Sequence, residues 1–167
     1  VPEIRDGQRS LVYDAEHLVH RLLDRSADFP VVEVAGSRIT LPVERRFASL
    51  DAVQHYLDRV RALPTVRQRW PRAAVPATAR ERQGGGMAHY ERADAVIAVP
   101  GATHGSQWAL RELVVLHELA HHLADEVEPA HGGAFVARLV DLVDVVMGAE
   151  AAFLLRVTFL ENGVRIG

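Results

Sequence analysis

Residues 114–122 read Val-Val-Leu-His-Glu-Leu-Ala-His-His and contain the pattern H-E-x-x-H, with His117, Glu118 and His121 at its fixed positions. On a helix, residues four apart lie one turn apart on a shared face. His117 and His121 can therefore aim two imidazoles at one ion. Glu118, one residue on, is set to reach a metal-bound water rather than the metal. Neutral imidazole binds zinc at about 2.0–2.1 Å, and a catalytic zinc keeps three protein ligands and one open position. With 9 histidines in 167 residues, this composition predicts only about 0.03 accidental matches to the motif. The preceding run, Leu113 to Leu116, is unbroken apolar sequence. A helix apolar nearly all round is buried, and buried imidazoles and carboxylates need partners. A metal supplies them. The bland alternative is a surface helix that happens to be rich in histidine, and the apolar run weighs against it.

The preferred third ligand is His131, separated from His121 by nine intervening residues, in Pro129-Ala130-His131-Gly132-Gly133. A turn there can fold the chain back, and two glycines give room beside an ion. Asp125, Glu126 and Glu128 compete for the role. Asp125, four after His121, reads better as an acceptor that orients a ligand imidazole, or as a solvated carboxylate. His122 points away from the ligand face and reads as a packed or half-exposed side chain. Tyr90, His89 and His104 precede the metal helix and are candidate second electrophiles, although none has a spacing that separates it from packing or surface residues. The expected chemistry is hydrolysis. Zinc polarises a carbonyl and acidifies water, and Glu118 moves the proton.

The elements that must position these groups follow from periodicity. Residues 8–25 carry apolar positions at helical spacing: Leu11, Val12, Ala15, Leu18, Val19, Leu22 and Leu23. Residues 31–34 and 38–41 read as a β-hairpin across a short turn containing Gly36. Ser49 opens a second helix that runs to about Leu63, and Pro64 follows its end. Residues 64–86 are less regular. Short strands are expected at 87–90 and 93–99, and residues 95–99 of the second are either an ordinary core strand or an open edge for an extended peptide. The metal helix is expected from near Ser106, as its cap, to about Glu126. A helix over 135–147 and a final helix or strand over 149–160 complete the chain. Helices and strands are segregated rather than alternating, which predicts an α+β fold.

Composition narrows the function. There are no cysteines, which removes disulfide scaffolds, zinc ribbons, iron–sulfur clusters and thiol catalysis. The charge is −3, the hydrophobic fraction is 49%, and no stretch reads as a membrane span. A cytoplasmic protein without membrane partners is the expectation. All 19 basic residues are arginine. Seven of them fall in 59–82 against a single acid, Glu81, a possible phosphate footprint with Trp70 as a base-stacking ring. The acidic balance of the whole chain weighs against nucleic acid, and a solvated arginine-rich face is the plainer reading. Two rivals to a simple peptidase therefore stand: a metal-bound binding or regulatory protein without hydrolytic activity, and a nucleic-acid-associated peptidase.

His117-Glu118-x-x-His121 followed by His131-Gly132-x-x-Phe135 resembles the active-site pattern of SprT-like zincin metallopeptidases. More widely, through 8–19, 34–58, 95–100 and 113–135, the chain is similar to an actinobacterial metallohydrolase family that carries the HExxH motif. The resemblance implies one zincin-like α+β domain over 1–167, with a small antiparallel or mixed sheet packed on helices that include a buried HExxH helix. It implies a Zn2+ ion held by His117, His121 and His131, Glu118 as general base, and a peptide or protein substrate. The chain departs from the pattern after Gly132, where Gly133 and Ala134 stand in place of a bulkier or acidic pair.

Overall fold

The structure, a computed structural model, describes residues 4–84, 86–101 and 110–167. Chain contacts divide it into two units: Arg45–Asp125, and Val1–Glu44 with Glu126–Gly167. The class is α+β, as the segregated pattern predicts. No helix among the described residues is long and apolar enough to cross a membrane.

Arg45–Asp125 carries the HExxH segment. Its elements are β3 (Arg46–Phe47), α2 (Leu50–Ala62), α3 (Pro64–Arg69), a 3-10 turn (Pro71–Ala74), β4 (Thr78–Arg82), β5 (His89–Glu91), β6 (Val96–Pro100), β7 (Leu110–Arg111) and α4 (Glu112–His122). Ser49 caps α2, its hydroxyl accepting from the amide of Ala52 at 3.1 Å, which satisfies an otherwise orphaned donor of the first turn. The apolar spacing of α2 in sequence gives a stripe of Leu50, Val53, Tyr56, Leu57 and Val60; the last four are buried and Leu50 is half-buried. Pro64 does more than end α2. It is the first residue of α3, where its missing N–H costs nothing.

The principal sheet is mixed, in the order β4-β6-β5, with β4 parallel and β5 antiparallel to β6. Ile97, Ala98 and Val99 of β6 are all buried, the near-continuous apolar reading of a central strand. This corrects the open-edge reading of 95–99: β6 is paired on both sides, so its backbone has no edge to lend to a peptide. The outer strands are β4 and β5. β4 lies in the stretch that sequence left irregular, because Ala79 is its only buried side chain. A second, two-residue ladder pairs Arg46 with Arg111 and Phe47 with Leu110.

That ladder sets where α4 begins. Leu110 and Arg111 are strand, so the expected helix over about 106–126 is shorter at both ends, running from Glu112 to His122; the proposed cap at Ser106 lies outside the described residues. Glu112 ties the helix start to its surroundings. Its buried carboxylate accepts from the Arg45 amide at 3.1 Å, the Arg45 guanidinium at 3.0 Å and the Tyr56 hydroxyl at 2.9 Å. The Glu112 amide in turn donates to the Arg45 carbonyl at 3.0 Å. A carboxylate in the first turn also complements the helix dipole. Burial and the neighbouring Glu112 charge push the Tyr56 hydroxyl pKa well above its ordinary value, so the phenol stays protonated and acts as a donor.

The other unit holds α1 (Arg9–Asp24), the hairpin β1 (Val31–Val34) and β2 (Ser37–Thr40), α5 (Gly133–Met147) and α6 (Ala149–Glu161). The hairpin pairs Val34 with Ser37 across Ala35 and Gly36, whose φ values are 48° and 79°. Two positive φ angles are what a two-residue type I′ turn requires. α1 and α5 both pack on α6. α6 settles the helix-or-strand choice left by sequence; Leu154, Leu155 and Phe159 are buried on it.

Glu112→Ala should lower unfolding free energy in urea by about 2–4 kcal/mol, because the buried Tyr56 hydroxyl loses its acceptor and the helix start its anchor. Tyr56→Phe should cost about 1 kcal/mol. Wild-type midpoints in both variants would show that the anchor carries no weight.

Candidate metal centre

α4 is apolar on nearly every side. Leu113, Val115, Leu116, Leu119 and Ala120 are buried, and so are His117 and Glu118, while His121 is half-buried. Its C-terminal end is closed by side chains from its own unit. Arg72 Nε donates to the His122 carbonyl at 2.8 Å, and Arg92 donates to the carbonyls of Ala124 at 2.9 Å and Asp125 at 3.2 Å. Guanidinium groups at a helix C-terminus satisfy orphaned carbonyls and favour the dipole. The helix is thus held at both ends, with Glu112 at its start and His117, Glu118, His121 and His122 in its second half.

On that fixed helix, His117 and His121 meet as the four-residue spacing predicts. Their Nε2 atoms are 3.2 Å apart, with ring centroids at 5.0 Å and planes at 69°. Two nitrogens bound to one tetrahedral zinc at about 2.0–2.1 Å stand about 3.3–3.4 Å apart. The observed separation fits that edge. Glu118 is 3% exposed on the turn between the two imidazoles. A carboxylate this deeply buried is retained only with polar or cationic company.

His131 belongs to the other unit and is held there by Asp6, Gln8, Tyr13 and Phe135. Its Nδ1 lies 2.7 Å from Asp6 Oδ2, and its amide donates to Asp6 Oδ1 at 3.2 Å. Its carbonyl accepts from Gln8 Nε2 at 3.1 Å. The Tyr13 and Phe135 rings pack against the imidazole, each with its centroid at 5.2 Å. Gln8 also binds the Arg165 main chain, accepting from its amide at 2.7 Å. Asp6 and Gln8 carry no motif, and their separation from His131 in sequence left nothing by which to find them. Gly133 has a local reason that sequence did not supply. A Cβ there would stand 2.3 Å from the Gly167 carbonyl oxygen, and the Gly133 carbonyl accepts from the Gly167 amide at 2.9 Å. This glycine admits the 164–167 segment.

The remaining candidates resolve differently. Asp125 is not on the ligand face of α4, since the helix stops at His122, and its side chain is exposed. Glu126 is exposed, and Glu128 is ion-paired with Arg138. His122 is fully buried and uses both ring nitrogens: Nε2 lies 2.9 Å from the Val75 carbonyl and Nδ1 2.9 Å from the Tyr90 hydroxyl. A carbonyl only accepts, so Nε2 carries the proton and Nδ1 accepts from Tyr90. Burial lowers the His122 pKa; the Val75 carbonyl opposes this, and the Arg72 and Arg61 charges add to it. Tyr90 is therefore a partner of His122, and it also accepts from Arg72 at 3.3 Å. His89 is bonded to Glu91 at 2.8 Å, and His104 lies outside the described residues.

The arginine-rich stretch is largely spent on internal bonds. Arg61 donates to the carbonyls of Ala73 at 2.9 Å and Val75 at 3.2 Å, and pairs with Asp58. Arg67 donates to the Arg61 carbonyl at 3.2 Å, Arg80 pairs with Glu91, and Arg82 donates to the Met87 carbonyl at 2.6 Å. Trp70 is only 8% exposed and packs beneath the Arg69 guanidinium, so its ring is not offered to a base.

No family model matches the chain, and comparisons with curated proteins and with solved structures likewise return no match.

His122→Phe should destabilise the fold by about 2–4 kcal/mol, since the Val75 carbonyl and the Tyr90 hydroxyl each lose a buried partner. Any metal that the wild type takes up should be retained, because both nitrogens of His122 are already engaged. Loss of metal from a folded His122→Phe protein would contradict this.

Proposed function

We propose that this protein is a zinc-dependent hydrolase of zincin-like fold, a metallopeptidase that cleaves peptide bonds in a peptide or protein substrate. His117, His121 and His131 hold the ion and Glu118 is the general base. The observation that carries this reading is the 3.2 Å separation of the His117 and His121 Nε2 atoms on a buried helix, with the Glu118 carboxylate between them in sequence. Three imidazoles as the donor set would suit zinc and leave a fourth position open. His131 enters it as the tautomer that metal binding needs, since a proton on Nδ1 facing Asp6 puts the lone pair on Nε2.

Zinc, when bound, supplies Lewis acidity toward a carbonyl and lowers the pKa of coordinated water toward about 7. The chain supplies the proton handling. Glu118 accepts a proton from the attacking water and returns it to the leaving amine. Its burial among the apolar side chains of α4 strengthens its electrostatic interactions relative to water. The imidazoles remain neutral while they serve as ligands. The Glu112 anchor and the Arg72 and Arg92 bonds hold the helix so that the two histidines keep their spacing.

Glu118→Gln should keep wild-type zinc content and lose turnover of a broad peptide library by at least about 100-fold. His131→Ala should weaken zinc binding sharply in a chelator competition. Retained turnover in Glu118→Gln would reject the base assignment, and unchanged zinc affinity in His131→Ala would remove it as a ligand. Zinc bound by wild type with no turnover of any library member would favour the rival reading, a metal-bound binding or regulatory protein.

A further inference from the structure

We infer that Asp6 is the positioning carboxylate of His131, setting the tautomer and the ring orientation with which this imidazole binds its metal. The inference rests on the metal reading above and goes beyond it by assigning a role to the segment that precedes α1. Both oxygens of Asp6 serve the one residue. Oδ2 accepts from Nδ1 at 2.7 Å, and Oδ1 accepts from the His131 amide at 3.2 Å. A side chain tied at both its backbone and its ring cannot turn its imidazole without breaking a bond. The first bond also selects the protonated nitrogen. A carboxylate only accepts, so Nδ1 carries the proton and Nε2 is the ligating atom.

The same segment restrains the rest of the residue. Gln8, two residues after Asp6, donates to the His131 carbonyl at 3.1 Å and binds the main chain of Arg165. Tyr13 of α1 and Phe135 of α5 pack against the ring at 57° and 79°. Asp125, which spacing left as either an orienting acceptor or a solvated carboxylate, is exposed. The orienting carboxylate comes instead from more than a hundred residues upstream. Outer carboxylates of this kind raise the basicity of a ligand imidazole, and losing one typically costs about 10–100-fold in metal affinity.

The test is Asp6→Asn in the full chain, with Asp6→Ala as a second variant. An asparagine cannot accept on both atoms, so it must turn a donor toward either the amide or Nδ1–H. Zinc affinity, read by chelator competition, should fall about 10–100-fold in both variants. Long-range proton–nitrogen NMR of the metal-free protein should show His131 as the Nδ1–H tautomer in wild type and as a mixture in Asp6→Asn. A purely structural carboxylate would lower thermal stability and leave tautomer and affinity where they were, and that result overturns the inference. Wild type that binds zinc, with Asp6→Asn and Asp6→Ala binding equally well, overturns it and leaves the metal reading standing. Wild type that takes up no zinc overturns both.

Discussion

A neutral imidazole carries one donor and one acceptor, and once buried both must be matched or the fold loses the desolvation energy of the unmatched atom. Among the described residues, His117, His122 and His131 are buried, and His121 is one of the half-buried histidines. His122 is satisfied wholly by protein, through Val75 and Tyr90. At His131 the Nδ1 side is satisfied by Asp6, and the polarity of that bond fixes which nitrogen carries the lone pair. His117 and His121 turn the same nitrogen toward each other at the edge length of a zinc tetrahedron. Of these four imidazoles, that of His122 is structural, and the proposed function assigns the other three to a metal.

Such a division requires a helix that does not slide or fray. α4 has 11 residues, too few to be stable alone, and most of its surface is apolar. Its ends are therefore fixed by specific bonds: Glu112 with Arg45 and Tyr56 at the start, Arg72 and Arg92 on the last carbonyls. The arginines that look in sequence like a phosphate-binding surface include Arg72, which helps close this helix, and Arg61, which braces the loop before β4.

What sequence made legible was local. Ser49 at the head of α2, the Ala35-Gly36 turn and the four-residue spacing of His117 and His121 each declare themselves within a few residues, and each lies where it was expected. What it hid was either too short or too distant. β3 and β7 are two residues each, below any periodic signal, yet their pairing moves the start of α4 to Glu112. β4 presents a polar face with only Ala79 buried, so it reads as loop. The open-edge reading of β6 failed because β4 was not seen, and an unseen neighbour turns a central strand into an apparent edge. Asp6 could not be found at all, since its bond to His131 spans 125 residues, and no local rule reaches that far.

The account depends on His117, His121 and His131 sharing one cation. Diffraction from zinc-soaked crystals, with data collected on both sides of the zinc absorption edge, tests this most directly. The account predicts a single anomalous peak within bonding distance of the Nε2 atoms of all three residues and near the Glu118 carboxylate. An absent peak at full zinc saturation, or an ion held by His117 and His121 with His131 turned elsewhere, would contradict it.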